Sequence, residues 1–133
     1  MLPEMTILML TLFAEGSICS MAELRAIART IQVRAEDRGT SIHEECLRPH
    51  QYSCWNGFAG KHKILKAYRS GTVHGSPAWR RCKQVAEELY AGTLNGMPRW
   101  SHYYNPVLCK PKWASELIEK REMKYHVFGR IEK

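Results

Sequence analysis

Residues 5–14 read Met-Thr-Ile-Leu-Met-Leu-Thr-Leu-Phe-Ala, an almost wholly apolar run closed by Glu15-Gly16. A membrane-spanning helix needs about 20 such residues, so this run is too short to cross a bilayer. A secretory signal would open on a basic segment, whereas this chain opens Met1-Leu2-Pro3-Glu4, and only Ala14-Glu15-Gly16 weakly imitates a cleavage site. The reading that remains is a core helix over residues 4–15, ended by Gly16 and Ser17, with no export signal evident. Glu15 is the one acidic residue between Glu4 and Glu23. A carboxyl held against apolar side chains favours its neutral form, because desolvation penalises the charge. Such an acid keeps a proton to give to a leaving group. The plainer alternative is a glutamate that ends a helix and points into water.

A chain of 133 residues with 44% hydrophobic residues has enough material for one core, and one domain spanning 1–133 is expected. The net charge of +7 implies attraction to polyanions, which nucleic acid, an anionic cell-envelope polymer and a membrane surface satisfy alike. The five cysteines are odd in number and unpaired in spacing, which argues against a disulfide framework and for synthesis in a reducing compartment. His43, Cys46, His50 and Cys54 are zinc-ligand types, but Pro49 breaks the helix that would align them. Buried thiols are the preferred reading, and neither a metal site nor a cofactor is expected.

Local signals give a mostly helical α+β domain. Ser20 to Glu23 reads as a capping box, followed by an apolar face of Leu24, Ile27, Ala28, Ile31 and Ala35, with Arg25, Arg29, Gln32 and Arg34 on other faces. Glu36-Asp37-Arg38-Gly39 reads as a solvated turn. Ser41 to Glu44 is a second capping box, on a short helix closed by Pro49. Residues 51–75 read as irregular apart from a helical stretch near 61–69, and they are basic and aromatic. Ser76-Pro77 opens a helix with a core stripe of Trp79, Cys82, Val85, Ala86 and Leu89, ended by Gly92. The aromatic segment 100–105 suits a strand, residues 112–120 a helical turn, and residues 125–128 a short final strand.

Three segments, in order, resemble the SleB-type cell-wall hydrolase family, which includes spore-cortex-lytic enzymes and phage lysis proteins. Leu12-Phe13-Ala14-Glu15-Gly16 is similar to the segment carrying that family's catalytic glutamate. Pro49 followed by Gln51-Tyr52-Ser53 resembles its proline and glutamine-aromatic-serine element. Ser101-His102-Tyr103-Tyr104-Asn105-Pro106, then Pro111-Lys112-Trp113-Ala114, then His126-Val127-Phe128, resemble its remaining elements. Arginine, glycine and a second glutamate usually follow the family's catalytic residue, whereas here the chain continues Gly16-Ser17-Ile18. Glu36 sits in a Glu-x-Arg-Gly sequence that also imitates the motif, but its interval to Gln51 is too short.

The resemblance implies a lysozyme-like fold and cleavage of peptidoglycan between N-acetylmuramic acid and N-acetylglucosamine, with Glu15 as catalytic residue. Glycosidases that use two carboxylates hold them about 5 Å apart, or further apart to admit a water. No obvious second acid is offered here, which suits a lytic transglycosylase giving 1,6-anhydromuramyl ends. Gln51, Tyr52 and Ser53 are expected to line the cleft, with Ser53 bonding Glu15 or the substrate. His102, Tyr103 and Tyr104 are expected to form the opposite wall, and His126, Phe128 and Trp113 to act as structural support. The expected partner is the glycan strand, with no nucleic acid, no membrane insertion and a monomeric state. Synthesis in the cytoplasm and release onto the wall as a phage or prophage endolysin fits this reading. The rivals are an N-acetylmuramidase hydrolysing the same bond, a catalytically dead wall-binding module, and a small basic nucleic-acid-binding protein.

Overall fold

The structure is a computed structural model that describes residues 2–49 and 51–132, except for the Phe58 side chain. Helix α1 (Glu4–Gly16) is the apolar run, and Ile7, Leu8, Met9, Leu10, Thr11 and Leu12 are buried in it. Helix α2 (Met21–Arg38) follows after a tight turn in which the Cys19 N–H bonds the Gly16 carbonyl at 2.9 Å. Gly16 permits that turn. A Cβ there would stand 2.9 Å from Ile27 Cδ1 and 3.0 Å from Leu24 Cδ2, so a side chain at this position would have to push the ends of both aside.

The N-cap of α2 is half of the expected box. Ser20 accepts from the Glu23 N–H, but the Glu23 carboxylate turns inward to His126 and the Tyr125 N–H. Arg29 and Gln32, on other faces of the helix from the apolar stripe, are buried as well. Arg29 donates to the carbonyls of Asn95, Met97 and Pro98 and to Gln32 Oε1, so the helix is covered nearly all round. A buried guanidinium is tolerated because each of its three nitrogens has an acceptor. Residues Glu36 to Arg38 form the last turn of α2 and not a separate loop; Gly39 caps it at φ 68°, and Arg99 pairs with Glu36 and Asp37 at 2.7 and 2.9 Å.

Helix α3 (Ile42–Leu47) carries the complete Ser41–Glu44 capping box. A 3-10 turn (Ser53–Trp55) leads into α4 (Gly57–Arg69), which starts earlier than its sequence signal because Gly57 takes φ 70° and is followed directly by helix. Helix α5 (Pro77–Tyr90) buries the expected stripe, and Ser76 Oγ accepts from the Trp79 N–H at 3.1 Å. Helices α1, α2 and α5 pack on one another, with α3 against α1 and α2.

Strands β1 (His102–Tyr104), β2 (Ile118–Glu122) and β3 (Val127–Arg130) form an antiparallel sheet in the order β1-β3-β2. Tyr103 pairs with Phe128, and Arg121 pairs with Phe128 from the other side. The β2 register shifts between Ile118 and Arg121, where Glu119 takes φ 54° and its carbonyl accepts the Trp100 indole N–H at 3.2 Å. No described helix is long and apolar enough to cross a membrane.

Candidate active site

Glu15 lies on the last turn of α1, one turn beyond Thr11. Thr11 donates to the Ile7 carbonyl and accepts the Trp55 indole N–H, both at 2.8 Å, so the approach to Glu15 is fastened to the 53–55 turn. The Tyr103 hydroxyl reaches across from β1 and donates to Glu15 Oε1. Burial pushes the Glu15 carboxyl above the ordinary carboxylate value. The Tyr103 hydrogen bond and the nearby His126 pull it down without cancelling that rise. Burial and the facing Glu15 charge push the Tyr103 phenol well above its usual value, so it remains a donor.

The other two acids in the interior are bound by cations or cation-formers. Glu45, fully shielded, holds Arg38 at 3.1 Å and Arg34 at 3.5 Å. Glu23 holds His126 Nδ1 at 2.7 Å. Glu15 instead has a neutral hydroxyl as its hydrogen-bond partner. A carboxyl in that setting can exist in either protonation state without breaking an ion pair.

The expected cleft residues divide. Tyr103 joins Glu15. Tyr52 is 2% exposed and sits beneath the site with its hydroxyl buried and unpartnered, so it supports the site from below and does not line an open cleft. Gln51 is half-buried, and its N–H closes a turn on the Arg48 carbonyl at 3.1 Å. Ser53 is exposed in the 3-10 turn, and the bond assigned to it on Glu15 is made by Tyr103. His102 and Tyr104 share the opposite face of β1 with Trp113, at ring distances of 4.8 and 5.7 Å. His102 also lines a groove of about 530 Å³ with Arg34, Arg38, Arg99 and Arg130, which Glu15 and Tyr103 do not line. The three-residue wall is thus split by the pleat of the strand, with only its middle member on the acid's side.

Thr11 and Trp55 carry no site signal in the sequence, and Cys46 and Cys54 stand out there only as metal-ligand types. Yet Thr11 lies one turn from the acid, Trp55 bonds Thr11, and the Glu15 charge acts on both thiols. Burial holds both thiols up at about 12. Thr11 was readable in principle, since a polar residue one turn before Glu15 in an apolar helix shares its face. The zinc-ligand types His43, Cys46 and Cys54 do not gather into one group among the described residues. His43 instead faces Glu4 at 3.3 Å, and His50 lies outside the described residues. No protein-family model matches the chain, and no curated protein or solved structure is significantly similar to it.

Proposed function

We propose that the chain cleaves the glycosidic bond between N-acetylmuramic acid and N-acetylglucosamine in peptidoglycan, with Glu15 as both acid and base, as a lytic transglycosylase. The observation that carries this reading is the Glu15–Tyr103 pair: a desolvated carboxyl whose hydrogen-bond partner is a hydroxyl, while Glu23 and Glu45 are engaged elsewhere. To act as the acid, Glu15 carries its proton on the oxygen that Tyr103 leaves free. It gives that proton to the glycosidic oxygen as the bond breaks, and positive charge develops on the muramyl ring. The carboxylate formed is stabilised by the Tyr103 hydroxyl. It then takes the proton of the muramyl 6-hydroxyl, whose oxygen closes onto C1. The proton count balances, and no second carboxylate is consumed.

The basic excess of +7 supports attraction to an anionic wall. Turbidity of permeabilised Gram-negative cells tests the reading: wild type clears the suspension and Glu15→Gln, folded by circular dichroism, does not. Equal clearing by the variant would remove Glu15 from the chemistry. Mass spectrometry of the released muropeptides fixes the reaction, since 1,6-anhydro ends mark transglycosylation and reducing ends mark hydrolysis. Retention on nucleic acid without any clearing would favour the binding-protein alternative.

A further inference from the structure

Cys19, Glu23 and His126 converge beneath the turn between α1 and α2, at 2%, 1% and 8% exposure. One ligand atom from each lies within 4.8 Å of the other two, and this is the cluster of that kind among the described residues. Glu23 Oε2 is 2.7 Å from His126 Nδ1, and Cys19 Sγ is 4.0 Å from the same nitrogen. Burial, with the neighbouring Glu23 charge, pushes the Cys19 thiol up to about 12.

Both partners address the same ring nitrogen, Nδ1. A thiol–imidazole–carboxylate relay needs thiol and acid on opposite ring nitrogens, so that one orients while the other is deprotonated. Here one sulfur, one oxygen and one nitrogen atom lie within 4.8 Å of one another, a spacing that suits a metal-ligand set. We propose that Cys19 Sγ, Glu23 Oε2 and His126 Nδ1 bind a divalent transition metal ion of the zinc type, a site independent of the glycan chemistry assigned to Glu15.

Metal–ligand bonds of about 2.0–2.3 Å in a tetrahedral array put ligand atoms roughly 3.5 Å apart. The two measured separations, 2.7 and 4.0 Å, fall either side of that value, so small side-chain rotations close the site. The mixed sulfur, nitrogen and oxygen donors favour zinc or cobalt over magnesium or calcium, which take oxygen ligands. The Tyr125 N–H, 3.0 Å from Glu23 Oε2, orients the carboxylate from outside the set.

The protons balance simply. Without metal, the thiol carries its hydrogen and a neutral imidazole carries one ring hydrogen. On binding, the imidazole hydrogen moves to Nε2 by exchange with water, and the thiol proton is released. Thiolate, carboxylate and dication then sum to zero charge in a buried place. The ion would tie the end of α1 and the start of α2 to the residue that leads into β3.

The test uses the full chain carrying Cys109→Ser, which removes the exposed thiol, after chelator treatment. Titration with Co²⁺ is expected to give a near-ultraviolet thiolate-to-cobalt absorption that saturates at one equivalent. Zn²⁺ should displace it, release one proton per ion in weak buffer and raise Tm. Cys19→Ser should abolish the absorption and the Tm shift, whereas Cys46→Ser should keep both. If Cys19→Ser does not fold, Glu23→Gln takes its place. A folded parent protein with no cobalt absorption, or an undiminished signal in Cys19→Ser, overturns the site.

Discussion

Glu15 and Tyr103 act on each other in opposite directions, and each direction can be measured. Burial holds the Glu15 carboxyl above its ordinary value of 4.5, so the folded state binds that proton more tightly than the unfolded chain. Stability from this group is therefore complete below 4.5 and is lost as pH rises through the raised value. Glu15→Gln keeps the oxygen that accepts from Tyr103 and cannot ionise. Its Tm should exceed that of wild type at neutral and alkaline pH, and the gap should close below pH 4.5, as read by calorimetry across pH. Tyr103→Phe removes the bond that lowers the Glu15 value, so the alkaline limb of the lytic rate should move to higher pH. The same change should slow turnover roughly 10- to 100-fold, the loss of one charge-assisted hydrogen bond. An unmoved limb would reduce Tyr103 to a packing role against His126 and Phe128, its ring neighbours at 5.3 and 5.5 Å. Glu15 was legible because a lone acid closing an apolar run is rare in pattern. The partner was not, because in His102-Tyr103-Tyr104 every side chain is aromatic and no alternation tells which one turns inward.

Helix ends carried more sequence information than strand interiors. Ser41, Ser76 and Gly92 each mark a boundary by a named hydrogen bond or a left-handed residue, and the structure uses all three. Strand β2 was missed because Ile-Glu-Lys-Arg-Glu is an edge strand, mostly exposed, whose place is set by pairing with β3. The start of α4 was missed because Asn56-Gly57 has the composition of a turn, and the helix begins at that very glycine. Two substitutions test the boundaries. Ser41→Ala removes the hydroxyl that accepts the Glu44 N–H, leaves the residue 41 N–H on the Glu44 carboxylate, and should cost about 1 kcal/mol in urea unfolding. Gly16→Ala forces a methyl against Ile27 and Leu24 and should cost about 1–3 kcal/mol by the same measurement. Because Gly16 adjoins Glu15, that variant should also lose lytic rate beyond what its fall in Tm explains.

Across the whole molecule, burial decides how the cysteines behave. Cys19, Cys46, Cys54 and Cys82 are buried and pushed up to about 12, while Cys109 is exposed. Intact-mass measurement after brief iodoacetamide treatment should find one adduct on the native chain and five after denaturation. The expected mostly helical α+β domain with a small strand element is the one observed. The bond from Tyr103 to Glu15 spans 88 residues. A ribosome therefore finishes the acid long before it makes the phenol, and β1 has no strand to pair with until residues 127–130 follow. During that interval the carboxyl belongs to a nascent helix without its partner. A chain that ends before residues 127–130 therefore lacks the pair, and the lysis proposed for Glu15 should require synthesis through β3.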